Sequence, residues 1–184
     1  MSDRASSFRP FETSLDQEAA LRLLRATLTG AEDGELFLER KRSEALVFDD
    51  GRIKTASYDA SEGFGLRAVL GEVSAYAHAT ELSEAALSRA SDTARMAIRQ
   101  SGGIMAAPPQ GTNRHLYMPN DPMDGSSFEA RIDLLGEIDA YTRALDPRVV
   151  QVSVSLAALH QEVEILRPEG QVLRDARPLV RLNI

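Results

Sequence analysis

Helical spacing and strict alternation divide the chain into three helices and two groups of strands. Ala20, Leu21, Leu24 and Leu28 recur on one helical face. Ser14-Leu15-Asp16-Gln17 before them has the form of a capping box, with Ser as N-cap and Gln three residues on. Gly30 is placed to end that helix. Glu35–Arg42 predicts a strand with Leu36 and Leu38 inward and Glu39 outward, and Ala45–Phe48 a second strand. Asp50-Gly51 lies between apolar runs and predicts a tight turn, because Gly accepts positive φ without steric cost. Arg52–Tyr58 returns as a third strand. In Gly63–Leu70, residues Phe64, Leu66, Ala68 and Leu70 take one face while Gly65 and Arg67 take the other. Beyond Gly71, Val73, Ala75 and Ala77 share a face of a fifth strand. The short connections predict an antiparallel meander.

Thr80 can cap a second helix, expected to run to about Gln100 before Gly102-Gly103. Its stripe of Leu82, Ala86, Ala90, Ala94 and Ala97 is narrow enough to lie close on a sheet. Gly103–Gly125 holds Pro108, Pro109, Pro119 and Pro122 and shows little periodicity. Loops of that length inside a compact domain are uncommon and tend to be functional or mobile. Ser126-Ser127-Phe128-Glu129 forms a second capping box. Phe128, Ile132, Leu135 and Ile138 mark the buried side of a third helix, ending near Asp146-Pro147. Val150, Val152, Val154 and Leu156 then alternate with polar residues, as do Val163 and Ile165 with Glu162 and Glu164. Pro168-Glu169-Gly170 turns the chain into Val172–Asp175 and Leu179–Ile184. The turns after Phe48 and after Leu166 read as two similar hairpins rather than as a repeat.

This order predicts an α+β fold: a mostly antiparallel β-sheet, in two meander blocks, with about three helices packed on one face. Residues 1–13 are expected to be a flexible arm and residues 14–184 a single domain. The last residues, with Val180, Leu182 and Ile184 alternating and no cap or polar tail after them, suggest an edge strand and a chain cut before a further domain.

Composition narrows the function classes. The 184 residues suit one domain, and 43% hydrophobic with 27% charged content can supply a core. A net charge of -7, from 21 basic and 28 acidic residues, argues against non-specific nucleic-acid binding, which needs a basic surface. The absence of cysteine excludes disulfides and thiolate metal sites. The first residues, Met1–Ser7, lack the apolar core of a secretory signal, and no apolar run reaches membrane-spanning length. The expectation is a cytoplasmic protein with no membrane partner.

Candidate chemistry is sparse. His78, His115 and His160 lie far apart. His160 and Glu162 share a strand face, which is compatible with metal binding, but a zinc site needs three or four protein ligands. His78, at a strand end, reads as structural and His115, in the Pro-rich loop, as solvated. Gly63-Phe64-Gly65 resembles the start of a phosphate-binding glycine pattern, yet it leads into a strand rather than a helix. Close backbone approach or a kink accounts for it better. The paired acids Glu32-Asp33, Asp49-Asp50, Glu162 and Glu164 read as turns or wet strand faces. Arg174, Arg177 and Arg181 could hold a carboxylate or phosphate in their planar forks, although Asp175 beside them fits an internal ion pair equally well. There is no Gly-x-Ser-x-Gly elbow.

Taken in order, several segments resemble the N-terminal region of the TldD/PmbA metallopeptidase family, once described as modulators of DNA gyrase. They are Asp50-Gly51-Arg52-Ile53-Lys54, Gly63-Phe64-Gly65-Leu66-Arg67-Ala68, Gly71-Glu72 and Ala75-Tyr76-Ala77. The stretch Arg174-Asp175-Ala176-Arg177-Pro178-Leu179-Val180-Arg181-Leu182 is specifically TldD-like. The resemblance implies a cytoplasmic zinc peptidase subunit that pairs with a related subunit and acts on unstructured peptides. It places the metal on a His-Glu-x-x-x-His helix of a C-terminal domain, a motif these residues lack. No catalytic or metal residue therefore carries over. Gly63, Gly65, Arg67, Arg174, Asp175, Arg177 and Arg181 are retained as candidate structural or interface positions. What is implied for this chain is packing, subunit contact and enclosure of substrate. The alternative is a binding module that adds a peptide or partner strand at an open sheet edge.

Overall fold

A computed structural model of the chain describes residues 8–98 and 117–184. The elements run α1 (Pro10–Thr13), α2 (Gln17–Thr27), β1 (Asp33–Asp49), β2 (Arg52–Leu70), β3 (Val73–Ala79), α3 (Glu84–Ile98), α4 (Phe128–Leu145), β4 (Ser153–Leu166) and β5 (Val172–Asn183). The strands form one antiparallel sheet in the order β3-β2-β1-β4-β5. The two meander blocks are thus one sheet, joined where β1 pairs with β4.

Four predicted strands of the first block merge into two long ones. β1 and β2 stay paired from Asp33↔Val69 to Asp49↔Arg52 and are joined by Asp50 and Gly51, at φ 51 and 75. Both residues take the left-handed conformation that matches the twist of a two-residue hairpin. The second block likewise has two strands where the sequence suggested four; Val150 lies before β4 and is exposed.

The helices lie on one sheet face and make two separate cores. α2 and α3 cover one end, where Leu24, Leu87, Ala90 and Ala94 meet Leu36, Leu38, Phe64, Leu66 and Leu166. The small stripe of α3 is buried at Ala86, Ala90 and Ala94, as its spacing predicts, while Ala97 faces outward and Ile98 turns in. α4 covers the other end, where Leu135 packs on Leu46, Phe48, Val152 and Val154. Phe128, expected on its buried side, is exposed.

Each predicted N-cap moves along the chain. Asp16, not Ser14, caps α2 by accepting from Ala19 N–H at 2.6 Å. Ser83, not Thr80, accepts from Ala86 N–H at 3.2 Å ahead of α3. Ser127, not Ser126, caps α4 by accepting from Ala130 N–H at 3.1 Å. In each case several small polar residues compete, and the docked position of the helix selects among them. The predicted end of α3 at Gln100, and His115, lie outside the described residues.

The arm expected to be flexible is anchored over its described part. Phe8 is 1% exposed and belongs to the larger core, and Pro10–Thr13 is helical. Its burial rests on apolar Phe8 and Phe11, too sparse a signal to stand out in a polar run.

Candidate functional site

Between the two cores a band of charge crosses the covered face of the sheet. Antiparallel register puts paired residues on the same face. On this face Leu36 and Leu38 of β1 are followed by Arg40, Arg42 and Glu44 before apolar Leu46 resumes. Opposite them on β4 stand Glu164, Glu162 and His160, at Leu38, Arg40 and Arg42 respectively. On β5, Arg174 faces Glu164. His160 is 3% exposed, Glu162 1% and Glu164 0%.

This overturns the reading of Glu162 and Glu164 as a wet strand face. The opposite face of the same strand is also closed at Val163, 2% exposed, so β4 is buried on both sides here. Burying carboxylates is costly unless they are paired. Their partners come from distant parts of the chain. The Arg174 Nε donates to Glu164 Oε1, and the Arg9 guanidinium lies 3.9 Å from the same oxygen. The Phe8 N–H donates to Glu162 Oε1 at 3.3 Å. The Arg40 guanidinium sits 5.0 Å from the centre of the Phe8 ring, a cation–π contact, and also bonds Glu62.

The middle of the band holds a tighter group. Arg42 Nη2 is 2.8 Å from Asp121 Oδ2 and 3.9 Å from Glu162 Oε2. His160 Nε2 lies 3.2 Å from the Pro119 carbonyl, and its Nδ1 is 3.7 Å from Asp121 and 3.9 Å from Glu162. Toward the smaller core, Glu44 meets the Arg131 fork of α4, with Nε at 2.7 Å and Nη2 at 3.0 Å.

A histidine with two carboxylates is a donor set that could suit a divalent cation, but its geometry here does not fit one. The Arg42 guanidinium already supplies the positive charge between Asp121 and Glu162. His160 gives Nε2 to a backbone carbonyl, which turns Nδ1 toward Asp121 and Glu162. Among the described residues no group of three or more His, Asp and Glu is arranged to hold a metal ion.

The other candidate positions separate. Gly63 and Gly65 serve close approach: a Cβ on Gly63 would stand 2.5 Å from the Ala79 carbonyl, and one on Gly65 2.3 Å from the Tyr76 hydroxyl. Tyr76 in turn stacks on His78, with ring centres 5.6 Å apart. Arg67 lies on the uncovered face and bonds Glu35 at 2.9 Å, beside Arg167, which reaches both Glu35 and Asp33. Burial works against the charge of Arg167, but the hydrogen bond and charge of Asp33, with Glu35 and Glu169, outweigh it and raise its pKa.

Arg174, Arg177 and Arg181 do not form a common anion site. Strand parity puts Arg174 on the charged band and the other two on the opposite face. There Arg177 pairs with Asp175 at 2.8 Å and Arg181 bonds Asn183. Arg42, Glu44, Asp121 and Arg131 were missed by sequence reasoning. The available signal was the charged inward positions of β1, at even numbers in register with Leu36 and Leu38.

Two outer edges remain open among the described residues. β3 pairs with β2 only from Phe64 to Leu70, so Arg52–Glu62 has no strand on its outer side. β5 is the opposite edge, with Leu179, Val180, Leu182 and Ile184 exposed. No described helix is long and apolar enough to cross a membrane.

Comparison with known proteins agrees with this architecture. Residues 34–100 match the family model for PmbA/TldA metallopeptidase domain 1, and residues 121–184 match that for the PmbA/TldA metallopeptidase central domain. The β1–β4 pairing joins the two matched regions in one sheet. The metalloprotease TldD homolog of Haemophilus influenzae is 32% identical over 153 residues, covering 82% of this chain and 32% of the relative. The metalloprotease TldD homolog of Buchnera aphidicola from Acyrthosiphon pisum is 26% identical over 170 residues, covering 92% and 35%. The chain thus spans about a third of the length of these curated relatives. The crystal structure of TldE from Thermococcus kodakarensis shares the fold, with a TM-score of 0.68 at 16% identity over 89% of this chain and 38% of that one. With both family regions matched in sequence order on a shared fold, the chain belongs to the TldD/PmbA metallopeptidase family and corresponds to its N-terminal region.

Proposed function

We propose that this chain is the non-catalytic N-terminal part of a TldD-type zinc metallopeptidase subunit. In this reading it supplies scaffold, contact with a related TldD/PmbA-type subunit and part of the enclosure around unstructured peptide substrates. Zinc would be held by residues of a separate C-terminal domain, and the protein would work in the cytoplasm. The carrying observation is the charged band: its histidine and carboxylates face arginines, backbone groups and one another within a packed sheet. Such pairing fixes how chain segments dock, which supports a structural role for the band.

The test is hydrolysis of an unstructured polypeptide by the purified chain in the presence of zinc. No cleavage is expected. Cleavage that disappears in Glu162→Gln would refute the assignment.

The open edge Arg52–Glu62 favours a second reading, a module that binds an extended peptide by strand addition. An added peptide strand would protect the Arg52–Glu62 amides from exchange. Unchanged exchange at saturating peptide counts against this reading.

A further inference from the structure

We propose that residues 117–125 form a strap over the middle of the sheet, clipped by charge and able to open as a unit while the sheet stays folded. No residue of the strap belongs to either apolar core. Its anchor is Asp121, whose side chain is 4% exposed and is held by Arg42 of β1 at 2.8 Å. His160 of β4 adds the contact to the Pro119 carbonyl at 3.2 Å. At the far end, Arg131 of α4 donates to the Met123 carbonyl at 3.1 Å. The strap is internally shaped by the same aspartate. Asp121 Oδ1 accepts from Met123 N–H at 2.7 Å, and its carbonyl accepts from Asp124 N–H at 3.3 Å.

A segment held by a few polar contacts, with little apolar burial, opens at lower free energy than the sheet beneath it. Lifting Asp121 and Pro119 exposes His160 and gives the covered face a charged opening between its two cores. The arrangement is a conformational device: the clip is strong enough to close, and its loss does not dismantle either core.

Amide exchange of the whole chain in increasing urea tests this. Met123 and Asp124 amides are expected to exchange by a route that depends weakly on urea, whereas amides of central β1 require global unfolding. Asp121→Asn keeps an acceptor for Met123 N–H but removes the charge facing Arg42. It should speed Met123 and Asp124 exchange roughly tenfold or more, the loss of about one largely buried ion pair, and leave central β1 within about twofold. An even acceleration across the sheet would overturn the proposal. So would wild-type Met123 and Asp124 amides that share the urea dependence of β1, a comparison that decides the matter even if the variant does not fold.

Discussion

Arg131→Leu gives the sharpest prediction about stability. Arg131 is 12% exposed and Glu44 9%, and the guanidinium meets the carboxylate with two nitrogens, at 2.7 and 3.0 Å. This pair ties α4 to the centre of β1, beside a core of only five buried residues where the other core has eighteen among those described. Removing the cation leaves a carboxylate in a largely dry gap, which typically costs about 3–5 kcal/mol. That is a large share of a domain's total stability of roughly 5–15 kcal/mol. Replacing both groups by leucine removes the stranded charge as well, so Glu44→Leu/Arg131→Leu should return to within about 2 kcal/mol of wild type. Urea unfolding monitored by circular dichroism measures this, with the midpoint shifting and the slope unchanged. If the single variant loses less than about 1 kcal/mol, Glu44–Arg131 behaves as an ordinary surface bridge and the band does not act as a buried ionic layer.

Two further outcomes follow from local geometry. Gly63→Ala should cost about 1–3 kcal/mol, because the new Cβ meets the Ala79 backbone, whereas Gly65→Ala should cost less, because it meets the exposed Tyr76 ring, which can swing away; the same unfolding assay compares them. At the ends of α4, Glu129 is held below the usual carboxylate range by its own backbone N–H and the Ser127 hydroxyl, and Asp146 by Arg148. Their contribution is therefore present above the ordinary carboxylate pKa and lost as pH falls through the lowered folded values. Melting temperatures from pH 7 down to about pH 3 should fall less steeply in Glu129→Gln/Asp146→Asn than in wild type, and equal slopes would contradict the assignment.

The band also explains which parts of the fold are legible in the sequence. The apolar ends of β1 and β2 alternate cleanly, so Leu36, Leu38, Phe64, Leu66 and Ala68 are all buried as their spacing implies. Across the middle, Arg40, Arg42 and Glu44 occupy the inward positions, and Ala60 and Glu62 face them on β2. That polar interruption makes two continuous strands read as four. Glu162 and Glu164 read as solvated for the same reason. Alternation reveals which residues share a face, but not that arginines from β1, β5 and the N-terminal arm close over it. Part of the family resemblance rests on Asp50-Gly51, whose positive φ is a local requirement, and on Gly63-Phe64-Gly65, whose glycines make room for the neighbouring strand. The separation of Arg174 from Arg177 and Arg181 follows from strand parity once Val172–Asn183 is one continuous strand, which the sequence pattern splits in two.

The central claim is that arginine, not a metal ion, balances the buried carboxylates of Asp121 and Glu162 beside His160. Zinc titration of the purified chain, read by calorimetry and by metal content after dialysis, tests it most directly. No stoichiometric zinc is expected, and the same weak background uptake in His160→Ala. One tightly held zinc per chain, lost in His160→Ala, would contradict it.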